Sequence, residues 1–171
     1  MAPPEGFISG LIHPLLTPAH VVALTGLSLV AGRNPSRRGA VMLAFALGLL
    51  GGLGAIAWGV GETPANDVLL ANATICGLVA AAGIIVSARV AAPAALLSGF
   101  AIGLDSPPES ILLREAVLML IGTACGAIAA LAAFTLVARA IAHLWQGIAV
   151  RVAGLWIAAI AILVLALRWA A

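Results

Sequence analysis

This chain of 171 residues is poor in charge: it has no lysine, and Asp, Glu and Arg together make up only 8% of it. A soluble domain usually carries about 25% charged residues, so this chain has too little polar surface to cover a water-soluble globule. Its two cysteines, Cys76 and Cys125, lie in separate apolar segments and form no CxxC or other metal-cluster spacing. Aromatic residues are few and do not interleave with the arginines, which excludes a nucleic-acid-binding patch.

Hydrophobic residues make up 64% of the chain, and its mean hydropathy is +1.22. These values predict an integral membrane protein whose main partner is the lipid bilayer. A helix needs about 20 apolar residues to cross the hydrocarbon core. Six runs come close to that requirement, namely residues 7–30, 40–60, 68–88, 91–104, 113–138 and 148–167.

Short turns rich in Pro, Gly and Asn separate these runs, and no linker is long enough to divide the chain into domains. We therefore expect one transmembrane helical domain over residues 1–171, an all-α six-helix bundle with a Pro-broken first helix. The first residues lack the positive region of a signal peptide, so we expect the first apolar run to be a retained helix.

Arginine placement predicts the orientation of the bundle. Arg114 and Arg168 fall on one side of a six-span arrangement, together with all six acidic residues. The other six arginines fall on the opposite side: Arg33, Arg37, Arg38, Arg89, Arg139 and Arg151. By the positive-inside rule the arginine-rich side is cytoplasmic, so both termini are predicted to face outward.

Glycine pairs at GxxxG spacing predict where helix backbones approach each other. They are Gly48/Gly52, Gly99/Gly103 and Gly122/Gly126, and the run Gly48, Gly51, Gly52, Gly54 is expected to form one buried seam. Such seams also allow a homo-oligomer or a place in a larger membrane complex.

Two histidines, His13 and His20, lie inside the first apolar run, with Thr17 between them. An ionisable side chain in lipid is costly and marks a candidate functional site. Residues seven apart share one face of a helix, so the three side chains form a polar stripe, with His20 expected near the middle of the bilayer. Pro14 and Pro18 interrupt this helix and free backbone carbonyl groups, which favours a pathway element over a lipid-facing span.

Further polar residues are candidates for a pathway around this pair. Asn72 lies in the outer half of the third run, and Asp105 and Glu109 flank a Pro-Pro turn at the outer mouth. Glu115 lies near the start of the fifth run. A carboxylate cluster there could concentrate cations, although an ordinary solvated loop with helix-start acids explains the same residues.

The stretch Gly10-Leu11-Ile12-His13-Pro14, followed by His20, resembles the first transmembrane helix of the HupE/UreJ family of small bacterial membrane proteins linked to nickel supply for hydrogenase and urease. The resemblance implies a six-helix architecture with an outward N-terminus in the bacterial inner membrane. This chain differs from the family pattern in two places. The acid expected before the second histidine is Ala19, and the stretch comparable to a later histidine-rich motif runs from Ser98 to Asp105 without a histidine.

The sequence favours a small metal-ion permease or facilitator that uses His13 and His20 as transient ligands, with Thr17 as a secondary oxygen ligand. Imidazole binds Ni, Cu, Zn and Fe alike, so nickel is the first choice and the other three are alternatives. We expect no tightly bound cofactor. The alternative is a non-transporting structural or accessory subunit of a larger complex. An enzyme is disfavoured, because no Ser–His pair or intramembrane carboxylate pair is present.

Overall fold

The computed structural model describes residues 5–33, 38–60, 64–108, 112–145 and 147–170, and every regular element in these ranges is an α-helix. An all-helical chain is what the composition requires, because a helix satisfies its own backbone hydrogen bonds in lipid. The helices are α1 (Glu5–Leu16), α2 (Pro18–Gly32), α3 (Arg38–Ala57), α4 (Ala65–Ala82), α5 (Ala88–Leu104), α6 (Leu113–Leu144) and α7 (Ile148–Ala170).

Among the helices of the described residues, four are long and apolar enough to cross a membrane, namely α3, α4, α6 and α7. The pair α1–α2 makes a fifth span if the two are counted together, and a bend of 67° separates them. Helix α5 has 17 residues and spans about 25 Å, near the lower limit for a membrane crossing. The observed helices lie where the sequence predicts apolar runs, and the first run is broken as predicted.

Three pairs of helices pack most extensively: α3 with α5, α1 with α6, and α4 with α7. Glycines lie where the backbones meet. A Cβ added at Gly48 would overlap the Leu96 carbonyl oxygen, and one at Gly122 would overlap the Phe7 carbonyl oxygen. In α4 and α7, an added Cβ at Gly77 or Gly154 would come within 2.7 Å of the other's carbonyl oxygen. The three predicted GxxxG pairs therefore all lie at backbone contacts within this chain.

The predicted seam of four glycines in α3 is only partly right. Gly48 and Gly52 are buried against α5, whereas Gly51 and Gly54 are exposed. An added Cβ at Gly54 would meet nothing within 4 Å. The reason is geometric, because residues four apart share a helix face and those three or six apart progressively leave it.

Helix α2 lies among the three pairs and contacts α4, α6, α7, α5 and α3. From Gly26 to Gly32 all its residues are buried, and Leu24 and Leu27 are fully inaccessible. A helix buried on several sides is largely apolar, and the hydroxyls of Thr25 and Ser28 in α2 donate to carbonyl oxygens of their own helix. His20 lies in the first turn, so it is placed in the interior by the position of α2.

Hydrogen bonds along α4 set the directions of its neighbours. Asn66 bonds Asp105 and, further along α4, Asn72 bonds Ser98, so α5 runs antiparallel to α4. At the start of α4, Asp67 bonds Arg168 near the end of α7, which makes α7 antiparallel as well.

The C-terminal end of α4 is held by arginines from two other helices. Arg33, which follows α2, donates to the carbonyl oxygen of Gly83 at 2.9 Å, and Arg151 of α7 donates to that of Ala81 at 2.9 Å. Helix α2 therefore runs parallel to α4. These cations face the negative end of the α4 dipole, which is the favourable arrangement.

The bundle consequently has two chemically different ends. We call the end that holds Asp67, Asp105 and Glu115 the acidic end, and the end that holds Arg33 and Arg151 the arginine end. Glu115 belongs to the first because its Oε2 accepts a hydrogen bond from the amide of Gly6, at the start of α1. The segregation of charge predicted from the sequence is thus present among the described residues.

Candidate metal-binding site

The break between α1 and α2 lies at Thr17. A residue that precedes proline is disfavoured in the helical conformation, and Thr17 before Pro18 is extended, with φ −86° and ψ 110°. Pro18 then begins α2, where its missing N–H costs nothing. Pro14, by contrast, stays inside α1. Both prolines were predicted to break the helix, but the bend coincides only with Pro18.

The histidine rings meet across this break. His13 lies in the last turn of α1 and His20 in the first turn of α2, and their ring centroids are 5.5 Å apart at an interplanar angle of 73°. In a straight helix seven residues span about 10 Å along the axis. The predicted stripe on one continuous helix face is therefore replaced by two rings in edge-to-face contact at a bend.

His20 is completely buried, and its Nε2 lies 3.0 Å from Oδ2 of Asp105. Asp105 follows the last residue of α5 and its side chain is 23% exposed, so it links the buried ring to the acidic end. The two residues are 85 positions apart in the chain. An acid therefore contacts His20 in space, although the residue before His20 in the sequence is Ala19.

Asn66, in the first turn of α4, completes the cluster. Its Nδ2 donates to Oδ1 of Asp105 at 3.1 Å, while His20 contacts the other oxygen. No pattern in the sequence indicates Asn66, because an Asn that follows Thr-Pro-Ala is typical of an ordinary turn. The cluster lies level with the start of α4 and the end of α5, so His20 is near the acidic end and not midway along the bundle.

The remaining predicted residues lie in different places. Thr17, which lies between the two histidines in the sequence, donates its hydroxyl hydrogen to the His13 carbonyl oxygen at 3.2 Å. Asn72 is buried and lies further along α4 than Asn66. It donates to Ser98 Oγ at 2.6 Å and to the Ala94 carbonyl oxygen at 2.9 Å. Glu115 caps the start of α1, about 10 Å along that helix from His13. Glu109 lies outside the described residues.

The distance between the rings is compatible with a shared ion. A transition metal bound to a ring nitrogen at about 2.1 Å lies about 3 Å from the ring centroid, so two imidazoles on one ion have centroids about 5 Å apart. Nδ1 of His20 is buried and has no hydrogen-bond partner among the described residues. Within the same residues, no group of three or more His, Cys, Asp or Glu is arranged to hold a metal ion. The arrangement therefore offers few ligands to a metal ion.

A family model described as HupE / UreJ protein matches residues 1–164. The chain belongs to the HupE/UreJ family. This is a transport and accessory family associated with nickel and cobalt transport, and its members are multi-pass membrane proteins, in agreement with the apolar helices described above. No curated protein and no solved structure matches the chain.

Proposed function

We propose that this HupE/UreJ protein is an inner-membrane permease or facilitator for nickel or a related divalent ion, and that His13 and His20 are its transient ligands. The observation that carries this proposal is the contact of two imidazoles across a broken helix, with the deeper ring fully buried. Ionisable groups kept inside an apolar bundle mark an ion pathway more often than a simple packing contact.

The location of the pair suits the loading step. Asp105 is partly exposed at the acidic end and touches His20, so a cation can approach along carboxylate groups before it reaches the imidazoles. Two neutral nitrogen ligands replace part of the hydration shell without holding the ion permanently. Beyond His20, the fully buried Leu24 and Leu27 close the interior. Passage toward the arginine end therefore requires α2 to separate from its neighbours.

The proposed orientation places the acidic end outside and the arginine end in the cytoplasm, with six spans and both termini outward. The helix directions support it, because α5 and α7 are both antiparallel to α4 and α2 is parallel to it. Labelling of single cysteines in a cysteine-free chain tests the orientation. Trp58→Cys, which is 93% exposed beyond α3, should react from outside, and Leu144→Cys should react only from the cytoplasm. Reaction of both from one side would refute the arrangement.

Uptake into vesicles tests the function. Wild-type protein in proteoliposomes should take up Ni²⁺ or Co²⁺ in a saturable manner, and His20→Ala and His13→Ala should abolish saturable uptake because each removes one of two nitrogen ligands. His143→Ala is the matched control, since it removes the third histidine of the chain at an exposed position on α6. Uptake no faster than in protein-free liposomes, or equal uptake by all variants, would refute a permease.

The alternative, a non-transporting structural or accessory subunit, rests on two observations: His20 already has a hydrogen-bond partner in Asp105, and two imidazoles form a sparse site. In that case His20 joins α2 to α5 and nothing more. The glycine pairs give this alternative no support, because they contact helices of the same chain. An accessory subunit would lose stability in His20→Ala while wild type shows no uptake.

A further inference from the structure

Asp105 contacts His20 through one ring nitrogen and leaves the other one unpaired. Nε2 lies 3.0 Å from Oδ2 of Asp105, while the buried Nδ1 has no hydrogen-bond partner among the described residues. The other Asp105 oxygen, Oδ1, accepts from the amide Nδ2 of Asn66. Both oxygens of this carboxylate therefore face nitrogen atoms.

The tautomer of a neutral imidazole follows from these contacts. Neutral imidazole carries one hydrogen, and an ionised carboxylate only accepts hydrogen bonds. A hydrogen on Nε2 gives a hydrogen bond to Asp105. A hydrogen on Nδ1 would instead leave two lone pairs facing each other at 3.0 Å and would bury a donor without an acceptor, which is costly.

We propose that Asp105 is a positioning residue that fixes neutral His20 as the Nε2–H tautomer, so that Nδ1 is the atom presented to the metal ion. Asn66 restrains the carboxylate by holding its second oxygen. A metal-ligating histidine commonly donates its other ring N–H to a carboxylate, which orients the ring and raises its basicity. The assignment of Nδ1 as the ligand rests on the proposed function, whereas the tautomer itself is a property of the metal-free protein.

Nitrogen chemical shifts of ¹⁵N-histidine-labelled, metal-free protein in lipid nanodiscs test the tautomer directly. The His20 signals, assigned by their loss in His20→Gln, should show a protonated Nε2 and an unprotonated Nδ1. In Asp105→Leu they should change to a mixture of tautomers. Asp105→Glu keeps a carboxylate, which can only accept, and should retain the wild-type pattern. Protonation of Nδ1 in the wild type, or an unchanged pattern in Asp105→Leu, would overturn the proposal.

Titration with Zn²⁺ tests the ligand atom, because Zn²⁺ is diamagnetic and binds imidazole. Zn²⁺ should shift His20 Nδ1 more than Nε2, and Asp105→Leu should bind it about 10- to 100-fold more weakly. Asp67→Leu is the matched control, since it removes another carboxylate of α4 and α5 at the acidic end without touching His20. A larger shift at Nε2 would overturn the assignment of Nδ1.

Two further results separate structural damage from the effect proposed here. Asn66→Leu leaves Asp105 in place and should retain the tautomer with weaker Zn²⁺ binding, so it reports on the cluster even if Asp105→Leu does not fold. A correct tautomer with no Zn²⁺ binding would leave Asp105 as a positioning residue and refute the metal-ion function. Uptake of Ni²⁺ or Co²⁺ by a protein whose His20 carries its hydrogen on Nδ1 would support the metal-ion function and refute the positioning role of Asp105.

Discussion

The three outer helix pairs and the central helix α2 are built in different ways. In the pairs α3–α5, α1–α6 and α4–α7, glycines bring two backbones into contact, and a Cβ would overlap a carbonyl oxygen of the partner. Helix α2 approaches its neighbours less closely, since an added Cβ at Gly32 would come no closer than 3.0 Å to any atom of α6. At Gly26 an added Cβ would come no closer than 3.3 Å to any atom outside its own helix.

This difference separates structure from function in the bundle. The pairs supply close packing, which replaces the hydrophobic effect as the source of helix association in lipid. Helix α2 contacts several helices and carries the buried His20. A helix with these looser contacts can shift relative to its neighbours more readily than a helix in tight backbone contact, and the proposed ion passage would use such a shift.

The largest effect should come from a side chain forced into a pair. Gly48→Val should destabilise the protein by about 3 kcal/mol or more, because the Leu96 backbone cannot move away without separating α3 from α5. Thermal unfolding in detergent measures the change. Gly54→Val, on the open face of the same helix, is the control and should unfold near the wild-type temperature. Equal stability of both variants would show that α3 and α5 are not in backbone contact.

A smaller effect is expected for the buried polar contact between α4 and α5. Asn72→Ala and Ser98→Ala each remove one partner of the 2.6 Å hydrogen bond, and a double-mutant cycle should give a coupling energy of about 1 kcal/mol, as is typical inside membranes. The same variants in the uptake assay decide whether Asn72 has a pathway role. Lower uptake at unchanged stability would support one, and zero coupling would contradict the contact.

The central helix should tolerate an added methyl group better than the pairs do. Gly26→Ala should cost at most about 1 kcal/mol, because the Ile157 side chain and the Ala73 backbone need to move only slightly and alanine favours the helix. Gly48→Ala is the matched comparison and should cost clearly more. If both cost the same in thermal unfolding, α2 is packed as rigidly as the pairs.

The smallest effect is expected at the surface of the acidic end. Asp67 pairs with Arg168 at 2.8 Å, but both side chains are partly exposed and such pairs contribute little to stability. Asp67→Asn should leave the unfolding temperature unchanged within error. A clear decrease would show that this ion pair holds α7 against α4, and the exposed contacts would then matter as much as the glycines.

Much of the fold was predictable because its causes are local. The apolar runs mark the helices, and the two prolines predict a break in the first run because each restricts the residue before it, although only the structure shows that the break coincides with Pro18. The end of α6 at Leu144 was less predictable, since Arg139 suggests a loop although a long helix can carry an arginine beyond the membrane. The expectation that Gly51 and Gly54 are buried is wrong, because it rests on the number of glycines in this run and not on the helix face that each one occupies.

The candidate site was predictable only in part. His13, His20 and Thr17 lie close together in one apolar run. Polar and ionisable residues are rare in such a run, so the sequence alone indicates these three as candidate site residues. Asp105 was noticed as an acid near a turn, but its contact with His20 depends on where α5 ends relative to α2. Asn66 carried no signal at all, because its role exists only through Asp105.

The sequence by itself determined that the chain is a helical membrane protein with charge separated between two ends, a first helix broken near its two prolines, and glycine contacts. Each of these follows from composition or from residues within a few positions of one another. Only the tertiary structure decided that α2 lies at the centre, that Asp105 meets His20 and that Asn66 meets Asp105. Those contacts join three helices distant in sequence, and helix packing alone fixes which ends are level.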